Sequence, residues 1–289
     1  MNSNSLCWAI TEFKAREIHA NFGNMLADLN TRIEAARGKS EETPSIMAVS
    51  GDSAVINVQC IILKRESLWT KYGFATSTLA VERAMNAALD DKDVRSIVLN
   101  VDSPGGTVDG MHRLVQAVGK TNKQKPVIGQ VDGLAASAGY WPLSQASAIY
   151  AGPGDEVGSI GVRLMLYDFS RAFENAGIEA VPIDTGKFKS AGAMGTEITA
   201  EQRAYFQSQV DAYFADFLGD VRKGRKLSEK RAAEVGDGRT FIAKQALELG
   251  LIDGIQSIEE TLKTARRMTG KSNQAAKARA RMREIEAAV

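Results

Sequence analysis

Residues 94–120 read VRSIVLNVDSPGGTVDGMHRLVQAVGK, and this stretch decides the fold. VRSIVLNVD is a short continuous apolar run with β-branched side chains, which suits a strand buried on both faces, as in a parallel sheet. SPGG (Ser103–Gly106) supplies turn residues, and GMHRLVQAVGK follows as a helix. The same order recurs downstream. PVIGQVD (126–132) is a second buried strand, ASAGYWPLSQA (136–146) a second helix, and SAIYAGPG (147–154) a third strand ending in a Gly-Pro turn. Strand–turn–helix units in succession build βαβ crossovers, so the sequence predicts an α/β core.

Upstream of this core, SIMAVSG (45–51) and SAVINVQCIIL (53–63) are β-rich and predict a strand pair. TSTLAVERAMNAALDD (76–91) has a Thr/Ser start and an apolar stripe at Leu79, Ala84, Met85, Ala88 and Leu89, the pattern of a helix. Downstream, RAFENAGIEA then VPIDTG predict one more helix–strand unit. The long helix ITAEQRAYFQSQVDAYFADFLGDVRKGR opens with Thr199 and Gln202 at capping-box spacing. LSEKRAAEVGDG and AKQALELG are shorter helices, the second stopped by Gly250. Three regions follow. Residues 1–42 form a helical N-terminal extension, with Phe13, Ile18, Phe22, Met25 and Leu29 near helical spacing. Residues 43–258 form the main domain. Residues 259–289 form a basic tail, either a solvated helix or a disordered segment.

The chain has 289 residues, 44% hydrophobic and 25% charged, which is ordinary globular material. With 36 basic against 35 acidic residues, net charge is +1, and nothing global steers it to nucleic acid or membrane. Two cysteines, Cys7 and Cys60, make no disulfide framework and fit a reducing compartment. The N-terminus lacks the basic start and roughly 7–15-residue apolar run of a signal peptide. No window approaches the ~18–20 apolar residues of a membrane span. The expectation is a soluble, cytoplasmic protein without a membrane anchor.

The chemistry is carried by two turns at successive strand ends, where open α/β sheets bind ligands. In VDGLAASAGYW (131–141), Ser137 sits among Ala135, Ala136, Ala138 and Gly139, small enough for a sharp turn and close substrate approach. Ala135 replaces the first glycine of a G-x-S-x-G elbow. Taken alone, AASAG equally describes a helix start packed on its neighbour. SPGG is more specific, because adjacent glycines expose backbone N–H groups. The N–H groups of Gly106 and Ala138 form a candidate oxyanion hole for attack by Ser137. A serine nucleophile also needs a base. The chain has two histidines, His19 and His112, both upstream. His112 reads as a helix-surface residue, and Asp102 and Asp109 as turn and helix-start residues. Lys187 and Lys189 flank Phe188 in GKFKSAG (186–192). An exposed lysine, near ~10.4, is protonated and useless as a base. Desolvation lowers that value, as Ser–Lys pairs exploit. By composition alone, an ordinary basic loop fits Lys-x-Lys better.

DSPGG (102–106), AASAGYW (135–141), VGSIGV (157–162), GKFKSAG (186–192) and DGRTFIAKQALELGLIDGI (237–255) occur in this order. Together they resemble the signal peptide peptidase A family, including phage head-maturation proteases of the protein C type, over roughly residues 45–256. The resemblance implies a ClpP/crotonase-like fold of stacked βαβ units and a serine peptidase with a Ser–Lys dyad. It implies Ser137 as nucleophile, Lys189 as general base, Ser159 as the residue orienting the lysine, and Gly106 as an oxyanion donor. It implies no cofactor and no metal. Because the chain holds one repeat, it implies a ring-like homo-oligomer in which Ser137 of one subunit meets Lys189 of its neighbour. The 70–106 block and the missing anchor point to the phage branch, with capsid and scaffold proteins as substrates. The alternatives are a soluble housekeeping peptidase, a crotonase-like acyl-CoA enzyme, and an inactive assembly factor that retains the fold.

Overall fold

The computed structural model describes residues 8–10, 23–24, 26–28, 31 and 45–269. In chain order the elements are β1 (Trp8–Ile10), β2 (Met47–Ser50), β3 (Ser53–Leu63), α1 (Leu68–Lys71), β4 (Ala75–Ser77), α2 (Thr78–Asp90), β5 (Ser96–Thr107), α3 (Met111–Asn122) and β6 (Val127–Ala136). A 3-10 turn, Ser137–Gly139, then leads into α4 (Tyr140–Leu143), β7 (Ala148–Ala151), β8 (Glu156–Gly158), α5 (Ser170–Asn175), α6 (Ala200–Arg225), α7 (Glu229–Val235), β9 (Thr240–Ile242), α8 (Ala243–Leu249) and β10 (Gly254–Ile255). A last helix, α9, covers residues 258–269.

One sheet runs β10-β7-β6-β5-β3-β2, with β1 and β4 added to β5 and β3, and β8 and β9 continuing from β6. β3, β5, β6 and β7 are mutually parallel, so β5–α3–β6 is the βαβ unit expected from residues 94–132. This is an α/β architecture, a largely parallel sheet with helical crossovers. Alternate residues of β5 face opposite layers, as the two-residue period of a strand requires. Ile97, Leu99 and Val101 join the large core with Val81 and Met85 of α2 and Leu114 and Val118 of α3. Val98 and Ile128 face Ala265 of α9 on the other side. Fully burying an aliphatic side chain contributes about 1.5–3 kcal/mol, so these two layers dominate the stability. Ser77 accepts from the Ala80 N–H, and Thr199 accepts from the Gln202 N–H at 3.2 Å, but the Gln202 Oε1 has no partner, so only half of the capping box forms.

Four expectations are corrected. SPGG is not a turn but the last part of β5. Gly105 and Gly106 pair with Ile61 and Ile62 of β3 on one side and with Ile10 and Ala9 of β1 on the other. Pro104 is tolerated because both neighbouring ladders slip register beside it, between Gln59 and Ile61 and between Val101 and Ser103. Trp8–Ile10 form a strand rather than part of a helix, because β5 offers them a partner edge. The other residues of the 1–42 extension, apart from helical residues 23–24, 26–28 and 31, lie outside the described residues. VPIDTG forms no strand: Val181 is exposed and Ile183 is 96% exposed, with no sheet edge beside them. Finally, α9 lies past the boundary drawn at 258, yet Thr261 and Ala265 are fully buried, so the packed body continues to residue 269. Residues 270–289 of the tail lie outside the described residues. Among the described residues, no helix is long and apolar enough to cross a membrane.

Candidate active site

β6 ends at Ala136, and Ser137 takes φ of 55°, the left-handed region that L-residues avoid at a cost of roughly 1–2 kcal/mol. The surroundings hold it there. Ala135 and Ala136 are paired with Val157 and Gly158 of β8. Just beyond the turn, the Tyr140 hydroxyl donates to the Leu251 carbonyl at 2.6 Å. The Trp141 indole N–H donates to Asp220 at 2.8 Å, and its ring stacks on Phe217 at 4.4 Å between centroids. Burial pushes the Tyr140 phenol well above its ordinary range, keeping it a neutral donor. The two aromatics after the bare turn are therefore anchors to α6 and to the chain before β10. Ser137 itself is only 1% exposed, and its Oγ has no hydrogen-bond partner. A buried hydroxyl left unpaired in a strained turn is costly, and such groups gather at functional sites.

The glycine strand lies against this turn. A Cβ on Gly139 would sit 3.1 Å from both the carbonyl oxygen and Cβ of Ser103. A Cβ on Gly106 would fall 1.9 Å from the Ile62 carbonyl oxygen, so only glycine fits between β3 and β5 there. The Ser103 hydroxyl donates to the Cys60 carbonyl at 2.6 Å and accepts from the Gly105 N–H at 3.2 Å, fixing the bend. Cys60 is itself left-handed, with φ of 60°. Neither the Ser103 bridge nor the Cys60 bulge carries a signal in the local sequence, beyond the neighbouring Pro-Gly-Gly. Ala138 is fully buried inside the 3-10 turn, where the first N–H groups lack intrahelical acceptors.

Ser159 follows the Ala136–Gly158 pair directly, so it is level with Ser137 along the sheet. It too is left-handed, with φ of 49°, and its N–H donates to the Arg239 carbonyl at 2.7 Å. It lines a cavity of about 380 Å³ with Arg163, Gln207, Asp211, Phe214 and Asp237. Ser137, Gly106, Ala138 and Ser159 are thus brought to one end of the sheet.

Lys189 is not brought to them within one copy. It lies in the exposed segment between α5 and α6, and no hydrogen bond joins it to Ser137. The segment is nevertheless built. Asp168 accepts from the Ser170 hydroxyl and N–H and from the Ile198 N–H, clasping both ends, and these bonds hold its carboxyl down at about 2. Phe188 stacks on Tyr205 of α6 at 4.8 Å. The two lysines differ: Lys187 pairs with Glu201 and lies over the Phe188 ring, whereas Lys189 makes no ion pair among the described residues. His112 is exposed and bonded to Gln116 at 2.9 Å, and Asp109 is paired with Lys64 at 2.9 Å, as their surface readings predict. Asp102 is exposed. Among the described residues, no group of three or more His, Cys, Asp or Glu side chains is arranged to hold a metal.

The profile of peptidase family S49 matches residues 120–271. The chain is 33% identical over 183 residues to a protein of Methanocaldococcus jannaschii that carries a protease name, an alignment covering 63% of this chain and 59% of that protein. It is 31% identical over 216 residues to protease 4 of Haemophilus influenzae, covering 74% of this chain and 34% of the relative. It is 24% identical over 256 residues to capsid assembly protease C of Escherichia phage lambda, covering 82% of this chain and 58% of that protein. The chain therefore spans between about a third and three fifths of the length of these relatives.

Proposed function

Because the chain belongs to peptidase family S49, we propose that it is a serine endopeptidase with Ser137 as nucleophile and Lys189 as general base, acting on capsid and scaffold proteins during phage head assembly. The observation that carries the reading is the Ser137 hydroxyl, buried, unpartnered and held in a left-handed turn beside a glycine strand. The likeness to a phage capsid assembly protease over 82% of the chain favours the substrate class.

Neutral Lys189 Nζ takes the Ser137 proton as Oγ bonds to a peptide carbonyl carbon. The resulting oxyanion is held by the Gly106 and Ala138 N–H groups. The C–N bond then breaks, and the lysine ammonium returns its proton to the leaving amine. Water, deprotonated by the same lysine, opens the acyl-enzyme, and Ser137 regains its proton. Ser159 donates to or accepts from the amine and fixes its direction.

A lysine serves as a base only where dry surroundings disfavour its charged form. Lys189 is exposed in the single copy, so the reading places a second copy over it, supplying the neighbouring Ser137. Support comes from the apolar side chains exposed in the stretch of chain before it, Met165, Tyr167, Phe169, Ile178, Val181 and Ile183. Exposed apolar surface, where it gathers, marks an interaction site. Head-to-tail contacts of this kind close into rings where the rotation between copies closes.

The test is complementation. Ser137→Ala and Lys189→Ala are each expected to be inactive on capsid and scaffold substrates, with products followed by mass spectrometry. Refolded together at equal amounts, they are expected to recover about a quarter of the wild-type rate, because about one interface in four then carries both intact residues. No recovery at any ratio, with an active wild type, would place the base within the same chain. Cleavage of membrane-derived peptides but of no capsid or scaffold protein would favour the housekeeping reading instead.

A further inference from the structure

β1 sits at the one edge where an incoming peptide has to lie. Along its first half, β5 has β3 on one side and β6 on the other. The β5–β6 ladder ends at Ser103↔Ala135, because β6 turns away into the Ser137 turn. β3 continues to pair through Gly106. The side that β6 vacates is taken by β1, antiparallel, in the register Trp8↔Thr107, Ala9↔Gly106, Ile10↔Gly105. The same strand comes within 8 Å, Cα to Cα, of the Ser137–Gly139 turn. Among the described residues, β5 is its only partner strand. An extended peptide recognised by strand addition uses the unpaired N–H and C=O groups of such an edge. To present a carbonyl between Ser137 Oγ and the Gly106 N–H, it has to pair with the backbone of Gly105–Thr107, which β1 already covers.

We infer that residues 8–10 are an intramolecular occupant of the substrate edge, a competitor strand that an incoming polypeptide displaces before cleavage. This rests on the peptidase reading of Ser137. The occupant acts on binding and leaves the reacting groups untouched, so its signature is in KM and not in kcat. A strand that leaves the edge free in about one molecule in ten raises the apparent KM about tenfold. Being tethered, it competes at an effective concentration on the order of millimolar, which weak pairing over three residues needs.

The experiment compares the full chain with Ala9→Pro, using an unstructured peptide substrate. Proline removes an N–H and does not fit inside a paired strand. Ala9→Pro is expected to lower KM about tenfold with kcat unchanged. Adding the synthetic peptide SLCWAITEF, the sequence of residues 5–13, to the variant is expected to raise KM again, competitively. Ile10→Pro, opposite Gly105, repeats the reading at a second position, and melting curves of both variants report whether the fold is kept. Equal KM for wild type and both folded variants, with no inhibition by the peptide, would overturn the inference while leaving the peptidase reading standing. If neither wild type nor variant cleaves, and a fluorophosphonate labels neither at Ser137, the peptidase reading itself has failed.

Discussion

Ser137→Ala is expected to lose cleavage by a factor on the order of 10⁵ or more, as when the serine of a coupled catalytic unit is removed, and to melt at a higher temperature than the wild type. The first effect follows from deleting the atom that bonds to substrate. The second follows from burial. The hydroxyl is 1% exposed at the residue level and has no partner, so folding strips it of water and returns nothing. A buried, unsatisfied polar group costs about 1–3 kcal/mol. Alanine keeps a Cβ and therefore keeps the left-handed strain, so the gain isolates the hydroxyl alone. About 1 kcal/mol corresponds to roughly 2–4 °C in a domain of this size. Calorimetry of the two proteins reads it directly. A variant that melts lower than the wild type would mean that Ser137 has a structural bonding role, contrary to the account.

Gly106→Ala is expected to be strongly damaging for a single added methyl. Its Cβ would lie 1.9 Å from the Ile62 carbonyl oxygen, 2.6 Å from the Ile62 carbonyl carbon and 2.7 Å from its nitrogen, all backbone atoms that no rotamer change relieves. Relief requires β3 and β5 to part where both are paired, which costs about 3 kcal/mol or more. The shift also moves one of the two oxyanion donors. Loss of such a donor alone lowers kcat on the order of 10²–10³-fold. Gly119→Ala is the matched control: nothing lies within 4 Å of its Cβ, and it sits inside α3. That variant is expected to gain about 0.5–1 kcal/mol with activity unchanged. Equal stability of Gly106→Ala and wild type in denaturant titration would contradict the close approach of the two strands.

The parts of this molecule legible from sequence are those fixed by local pattern. VRSIVLNVD and PVIGQVD announced buried strands because a strand covered on both faces has no polar alternation to hide it. The Ser137 turn was legible because only small residues fit at the end of β6. Thr199 announced the start of α6 by its own hydroxyl. What escaped was decided by distant partners. Pro104 argued for a turn, and only the slipped ladders at Gln59–Ile61 and Val101–Ser103 let the strand run on. Three residues, Trp8–Ile10, are too few to show a period, and their partner lies almost a hundred positions away. VPIDTG has the composition of a strand but lies exposed, with no edge to join. The proposed pairing of Lys189 with Ser137 rests on family resemblance alone, since nothing among the described residues brings the two side chains together within one chain.

The central claim is that Ser137 is a nucleophile activated by Lys189. The most direct measurement is labelling with a fluorophosphonate followed by peptide mass mapping. The account predicts one adduct, on Ser137, absent from Ser137→Ala and formed on the order of 10²-fold or more slowly in Lys189→Ala, the ordinary contribution of a general base. An adduct on another residue, or Lys189→Ala labelling as fast as the wild type, would contradict it.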